Sequence, residues 1–260
     1  LLVDLLVMPE GSTIKGRGKI LYKDTANTGD YTIRLASHCT VSGVTFKPQI
    51  DKSTNRLVLW SANCEKPKIH GCRFLGELLS WQFAINYETW VNLDQGTVNP
   101  EVIGCDFEYG GQAIFCIRTD GGRFDSNIIK GPRRGISFYG GKRNKVRANI
   151  IKGRNIHYPA DEGDVAQATV TGINFLTFGF LGTSKGIIGN EISGNHVSGV
   201  SEEAIGLDTN GDNAFDAAEN QILAITTLHT VATDGGQMVL TLTNATTKGG
   251  AAAPADWWDE

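Results

Sequence analysis

Three groups of charged residues in this chain could do chemistry. Arg133-Arg134, the stretch Ile156-His157-Tyr158-Pro159-Ala160-Asp161-Glu162-Gly163-Asp164, and Glu202-Glu203 each fall just before a short alternating apolar segment. Two carboxyl groups about 5–10 Å apart can cleave a glycosidic bond, one as acid and the other as base or nucleophile. Glu203 with Asp164 or Asp161 would make such a pair, with Glu202 beside it, and Arg133 or Arg134 would hold an acidic sugar. Asp208 ends the segment Ala204-Ile205-Gly206-Leu207, where alternation points it outward. Tyr139 and Asn174 hold outward positions in related segments and could stack on or hydrogen-bond a sugar. Asp120 and Arg118 end the equivalent segment of an earlier repeat and could line the same groove. Elimination would need another set, an arginine to neutralise a uronic carboxylate and a base at the α-carbon, from His157, Tyr158 and Arg134. The plainer alternative is that these are solvated turn residues.

These groups meet only if the chain repeats. One phrase, apolar-x-small-(Asn or Cys)-x-apolar, recurs as Val41-Ser42-Gly43-Val44-Thr45-Phe46, Ile69-His70-Gly71-Cys72-Arg73-Phe74, Val102-Ile103-Gly104-Cys105-Asp106-Phe107, Phe124-Asp125-Ser126-Asn127-Ile128-Ile129, Val146-Arg147-Ala148-Asn149-Ile150-Ile151 and Ile187-Ile188-Gly189-Asn190-Glu191-Ile192. The spacing has a minimum of about 22 residues, with insertions in the longer gaps. A second phrase keeps step: Ala113-Ile114-Phe115-Cys116, Gly135-Ile136-Ser137-Phe138, Gly172-Ile173-Asn174-Phe175 and Ala204-Ile205-Gly206-Leu207, with Leu57-Val58-Leu59-Trp60 and Phe83-Ala84-Ile85-Asn86 as poorer copies. Short strands at that period cannot bury an apolar face alone and must stack on their neighbours, as in a parallel β-helix. Stacking at about 4.8 Å predicts an interior ladder of Phe46, Phe74, Phe107, Ile129, Ile151 and Ile192. It also predicts a small-residue bend at Gly43, Gly71, Gly104, Ser126, Ala148 and Gly189, and an asparagine ladder of Asn127, Asn149 and Asn190. Trp81, Trp90, Trp257 and Trp258 fall outside these ladders.

Composition narrows the function classes. The 260 residues carry 24 Lys+Arg against 28 Asp+Glu, a formal net charge of -4, which argues against a basic nucleic-acid binder. The apolar opening, residues 1–8, contains Asp4 and reads as neither signal peptide nor membrane span, so no membrane insertion is expected. The ends of the chain read as those of a fragment. Glycine, 32 of 260, is spread along the chain and implies many tight turns. Five cysteines, Cys39, Cys64, Cys72, Cys105 and Cys116, are too sparse for a disulfide framework. Cys72 and Cys105 share a slot in adjacent coils and read as stacked small apolar residues, with a bridge between them geometrically open at about 5 Å between Cα atoms.

The two phrases, the asparagine ladder and the opening Val7-Met8-Pro9-Glu10-Gly11-Ser12-Thr13-Ile14-Lys15-Gly16-Arg17-Gly18 resemble the pectate-lyase-like right-handed parallel β-helices, and among these the bacteriophage tailspike proteins. The resemblance spans residue 7 to about residue 225. It implies an all-β solenoid body over residues 1–225, with residues 226–260 beginning a β-rich excursion or further coils. For function it implies binding and hydrolysis of a bacterial surface polysaccharide, capsule or O-antigen, by a homotrimer on a virion tail, or by a secreted enzyme if the protein is not from a phage. A pectate-lyase-type eliminase and a non-catalytic receptor-binding module are the alternatives. The polygalacturonase-type Asn-Thr-Asp, Asp-Asp and Gly-His-Gly set is absent, as is a pectate-lyase-type Arg-x-Pro-x-x-Arg. No cofactor is required by this reading. Residues 208–219 match a calcium loop at Asp208, Asn210, Asp212, Asp216 and Glu219, with Asn213 in place of glycine, so calcium there is the one metal expectation.

Overall fold

The structure, a computed structural model, describes residues 2–3, 6–22, 31–48, 57–76, 89–94, 96–153, 171–176, 187–200, 203–208, 221–225 and 228–229. All strand pairings among them are parallel, and the strands recur in threes, so the chain winds as a parallel β-helix with three faces. The first face stacks Leu2–Val3, Lys19–Tyr22, Thr45–Pro48, Arg73–Leu75, Asp106–Glu108, Ile128–Lys130, Ile150–Lys152, Asn195–Ser198 and Leu228–His229. The second stacks Leu6–Val7, Tyr31–Leu35, Leu57–Ala62, Thr89–Asp94, Gln112–Asp120, Arg134–Lys142, Thr171–Leu176 and Glu203–Asp208. The third stacks Thr13–Lys15, Thr40–Ser42, Lys68–His70, Glu101–Ile103, Arg123–Asp125, Lys145–Arg147, Ile187–Ser193 and Gln221–Ile225. No helix among the described residues is long and apolar enough to cross a membrane.

Each face turns apolar side chains inward in ladders. On the first, Ile20, Phe46, Phe74, Phe107, Ile129, Ile151 and Val197 are in register and buried. The rings of Phe46 and Phe74 stack at 5.1 Å, and those of Phe74 and Phe107 at 4.7 Å. The sixth member is therefore Val197 and not Ile192. Ile192 pairs with Val146 and belongs to the third face, above Val41, Ile69, Val102 and Phe124.

The same correction applies to the asparagines, which form two ladders at two different corners. Between the third and first faces, Asn127 Nδ2 donates to Asn149 Oδ1 at 2.9 Å, and Asn149 Nδ2 to Asn195 Oδ1 at 2.8 Å. Asn190 stands instead at the corner between the second and third faces, where Asn144 Nδ2 donates to its Oδ1 at 3.0 Å. Both corners use one device: a residue in the left-handed region turns the chain, and the side chain of the asparagine after it satisfies a backbone N–H and a carbonyl of the preceding coil. Gly189-Asn190 thus has the expected spelling at the other bend, and the copy in register is Ile192-Ser193-Gly194-Asn195-His196-Val197.

At the first of these bends the turning residue has φ of 70° in Gly43, 58° in Gly71, 63° in Gly104, 57° in Ser126, 52° in Ala148 and 61° in Gly194. A side chain in this conformation costs about 1–2 kcal/mol, partly returned by the smaller freedom it leaves the unfolded chain. Ala148→Gly is therefore expected to stabilise the fold by about 0.5–1 kcal/mol, read as a higher urea midpoint at unchanged slope.

The fourth coil places Trp90-Val91-Asn92-Leu93 where the second phrase belongs, since Val91 pairs with Leu59 and Ile114. Trp90 is consequently inside the ladder system, fully buried against Phe74, with Nε1 donating to the Tyr109 carbonyl at 2.8 Å. Leu57-Val58-Leu59-Trp60 sits one residue out of step with its neighbours, and Phe83-Ala84-Ile85-Asn86 lies outside the described residues. All five cysteines are buried and free. Cys72 and Cys105 stack without a bridge, and their contact together with burial holds the Cys105 thiol well above the usual range.

Candidate functional site

Alternation along the second face separates two sets of side chains. Leu35, Leu93, Cys116, Phe138 and Phe175 are in the core, so the residues just before them, Arg34, Asn92, Phe115, Ser137 and Asn174, point away from it. With Trp60 and Gly206 they form one in-register column running up the solenoid in the order Arg34, Trp60, Asn92, Phe115, Ser137, Asn174, Gly206. On one side of it runs a second column, Gln112, Arg134, Thr171 and Glu203, and on the other Ile117, Tyr139, Leu176 and Asp208.

Aromatic rings and unpartnered polar atoms alternate along this surface. The Arg34 guanidinium lies 4.9 Å above the Trp60 ring, and Tyr31 stacks on Trp60 at 5.1 Å. Phe115 meets Tyr139 edge-on at 4.7 Å, and Arg134 Nη1 donates to Tyr139 Oη at 3.3 Å. Asn92, Ser137 and Asn174 are at most 6% exposed. Trp60 Nε1, Asn92 Oδ1, Ser137 Oγ and Asn174 Oδ1 are buried without a hydrogen-bond partner, as are Thr171 Oγ1 and Arg134 Nε in the flanking column. Each such group costs about 1–3 kcal/mol. Folded proteins keep few of them, because ordered water or a neighbouring polar group ordinarily completes the bonds.

The residues singled out from the sequence distribute unevenly over this geometry. Arg134 and Glu203 occupy the same register position two strands apart, about 10 Å along the column. Arg133 is half-buried and leads into that strand. Glu203 and Asp208 stand at opposite ends of one strand, about 16 Å apart along the backbone. Tyr139 and Asn174 are on the outward surface, although Asn174 is buried there instead of open. Asp120 is not the register equivalent of Asp208, a position that Ile117 holds. Asp120 sits three residues further on, at the bend, gripped by Arg143 through Nε at 2.9 Å and Nη2 at 2.5 Å. Arg118 is half-buried at the same bend, with φ of 54°. His157, Tyr158, Asp161, Asp164, Glu202 and residues 209–219 of the calcium-like loop lie outside the described residues. Among those described, no three His, Cys, Asp or Glu side chains gather as a cation site.

Sequence reasoning missed Arg34, Trp60, Asn92, Phe115 and Ser137. The signal was present, because sliding the third-coil copy by one residue to Val58-Leu59-Trp60-Ser61 puts Trp60 in the outward slot beside Phe115, Ser137 and Asn174. A separate charge cluster sits on the third face, where Asp125 accepts from Arg147 Nη2 at 2.9 Å and Arg123 Nη2 at 3.0 Å. Burial pushes that carboxyl up, but the two arginines outweigh it and hold it below the usual carboxylate range.

No protein-family model and no curated protein matches the chain. A solved structure of trypsin-treated QnrB1, a plasmid-mediated fluoroquinolone resistance protein, is similar at 11% identity over 84% of this chain and 93% of that one. The TM-score is 0.22, and a likeness at that level carries no argument about fold or function.

Proposed function

We propose that the chain binds a bacterial surface polysaccharide along the second face and cleaves it by hydrolysis, in the manner of the tailspike-type, pectate-lyase-like β-helices it resembles in sequence. The observation that carries this reading is the outward column, in which aromatic rings alternate with buried donors and acceptors that have no partner. A sugar chain offers what that column lacks, since each ring has an apolar C–H face for stacking and hydroxyls that both donate and accept. Coils repeat at a fixed rise, so a polymer can lie across several of them. Glu203 supplies one carboxyl at the upper end. Its partner must come from within about 5–9.5 Å, and Asp164 or Asp161, with Glu202 beside them, is the proposed source.

The contact between Arg134 and Tyr139 favours a second reading, elimination. Arg134 would neutralise a uronic carboxylate while Tyr139, as phenolate, takes the α-proton; a C=C bond forms as the C–O bond of the leaving sugar breaks, and the leaving oxygen receives the proton from the Tyr139 hydroxyl, restoring the phenolate. One experiment separates the two. The protein is incubated with a panel of capsular and O-antigen polysaccharides and the products are weighed by mass spectrometry, with Glu203→Gln and Tyr139→Phe alongside. Hydrolysis gives oligosaccharides carrying an added water, and Glu203→Gln abolishes them. Elimination gives products lighter by one water that absorb as unsaturated uronates, and Tyr139→Phe abolishes those. Intact glycans across the panel would sink both readings of catalysis, and binding without cleavage would leave a recognition module.

A further inference from the structure

We propose that Arg34, Trp60 and Asn92 form a second subsite, remote from Glu203, that takes an anionic sugar residue of the same polymer. This rests on the reading that the second face binds polysaccharide, and it names the charge class of the ligand.

Three observations converge there. First, Arg34 is exposed and its guanidinium carbon lies 4.9 Å from the centroid of the Trp60 ring, so the arm rests at the column while staying open to solvent. No acidic side chain among the described residues pairs with it, whereas Arg73, Arg123, Arg143 and Arg147 each face one. A guanidinium fork matches a carboxylate on both oxygens. Second, Trp60 Nε1 is a buried donor and Asn92 Oδ1 a buried acceptor, both unpartnered and one strand apart in the same column. A single sugar hydroxyl can accept from the first and donate to the second. Third, Asn92 is a short side chain between two aromatic ones, Trp60 below and Phe115 above, so side-chain size dips at this notch in the column, whose flanking strands are about 10 Å apart. Asn92 is 6% exposed, and Arg34 covers the Trp60 ring. Entry of the sugar therefore requires that exposed arm to lift, exchanging the ring face for the carboxylate.

The subsite lies five strand spacings from the Glu203 strand, about 24 Å along the face. Only an extended oligosaccharide can reach both places. Long acidic chains are thus anchored at Arg34 while a distant residue of the same chain sits near Glu203, an intramolecular gain that short or neutral chains do not receive.

The test uses the full chain labelled with 5-fluorotryptophan, with the Trp60 resonance assigned through Trp60→Phe. The probes are uronate-bearing and neutral capsular oligosaccharides, followed by fluorine NMR and calorimetry. The expected result is a shift of the Trp60 resonance with the acidic oligosaccharides alone, weakened about tenfold or more in Arg34→Gln. Arg34 is exposed, so this variant keeps the fold, which its unfolding curve verifies; Asn92→Ala, whose side chain is buried, serves as the second variant. A Trp60 resonance that stays still while calorimetry records binding would overturn the subsite and leave polysaccharide binding on the second face standing. So would equal shifts with neutral chains, or an unchanged affinity in Arg34→Gln. No binding heat from any glycan would end both.

Discussion

Asn149→Ala should cost about 3–4 kcal/mol of unfolding free energy, more than its few atoms suggest. The side chain is fully buried and makes four hydrogen bonds. Nδ2 donates to the Phe124 carbonyl and to Asn195 Oδ1, both at 2.8 Å, and Oδ1 accepts from the backbone N and the Nδ2 of Asn127, both at 2.9 Å. Alanine leaves the Phe124 carbonyl and the Asn127 amide buried and alone, at about 1–3 kcal/mol each. The lost side-chain links also uncouple three successive coils, in a solenoid whose stability is a sum of nearest-neighbour terms. Asn149→Asp should be as harmful near neutral pH, because a carboxylate accepts but cannot donate to the Phe124 carbonyl. It should recover in part as the pH falls and the acid gains a proton. Asn127→Cys should be the mildest of the ladder changes, since Cys105 and Cys72 hold the same slot in the coils below. Urea unfolding gives the free energies, and amide exchange at residues 127 and 195 locates the loss. A cost below about 1 kcal/mol for Asn149→Ala would mean that the bonds merely accompany the bend.

The bend is also where the sequence is most and least informative. A left-handed residue followed by asparagine or a small buried side chain, between two alternating apolar strands, leaves a spelling that is readable in five coils. It fails at Gly189-Asn190 because the other corner obeys the same physics, and Asn144-Asn190 is built like Asn127-Asn149. What distinguishes the two is register across the long insertion that separates the strands pairing Val146 with Ile192, and insertions carry no periodic signal. Trp90 escaped for a related reason. Its slot holds Ala113, Gly135 and Gly172 higher up, and a tryptophan fits there because it fills space against Phe74 that those coils close by backbone approach, a Cβ on Gly135 falling 2.3 Å from the Gly172 carbonyl. The acids and arginines of the candidate site were visible as types. The outward column was not, because its members share no chemistry: Arg34, Trp60, Asn92, Phe115 and Ser137 are related only by stacking.

Phe74→Ala should remove about 3–5 kcal/mol and should also be felt at the second face. Phe74 is the middle ring of a three-ring stack, with Phe46 at 5.1 Å and Phe107 at 4.7 Å, and it packs at a tilt against Trp90 at 5.7 Å. Removing it opens a cavity that neighbouring coils cannot close, because parallel hydrogen bonding on both sides, Arg73 N donating to the Val44 carbonyl and Asp106 N to the Cys72 carbonyl, holds the strands at fixed spacing. Trp90 loses this packing partner while its bond to the Tyr109 carbonyl remains. Trp90 stands two residues before Asn92, so a loosened indole loosens the floor between Trp60 and Phe115. Phe74→Leu separates the two consequences: it keeps most of the volume, should cost about 1–1.5 kcal/mol and should leave the solenoid folded. Oligosaccharide affinity at the Asn92 notch should nevertheless fall in that variant, while Phe124→Leu, a comparable loss on the third face, leaves it unchanged. Equal affinities in the two leucine variants, measured by calorimetry on folded protein, would show that the core stack supports the coil without setting the geometry of its outer surface.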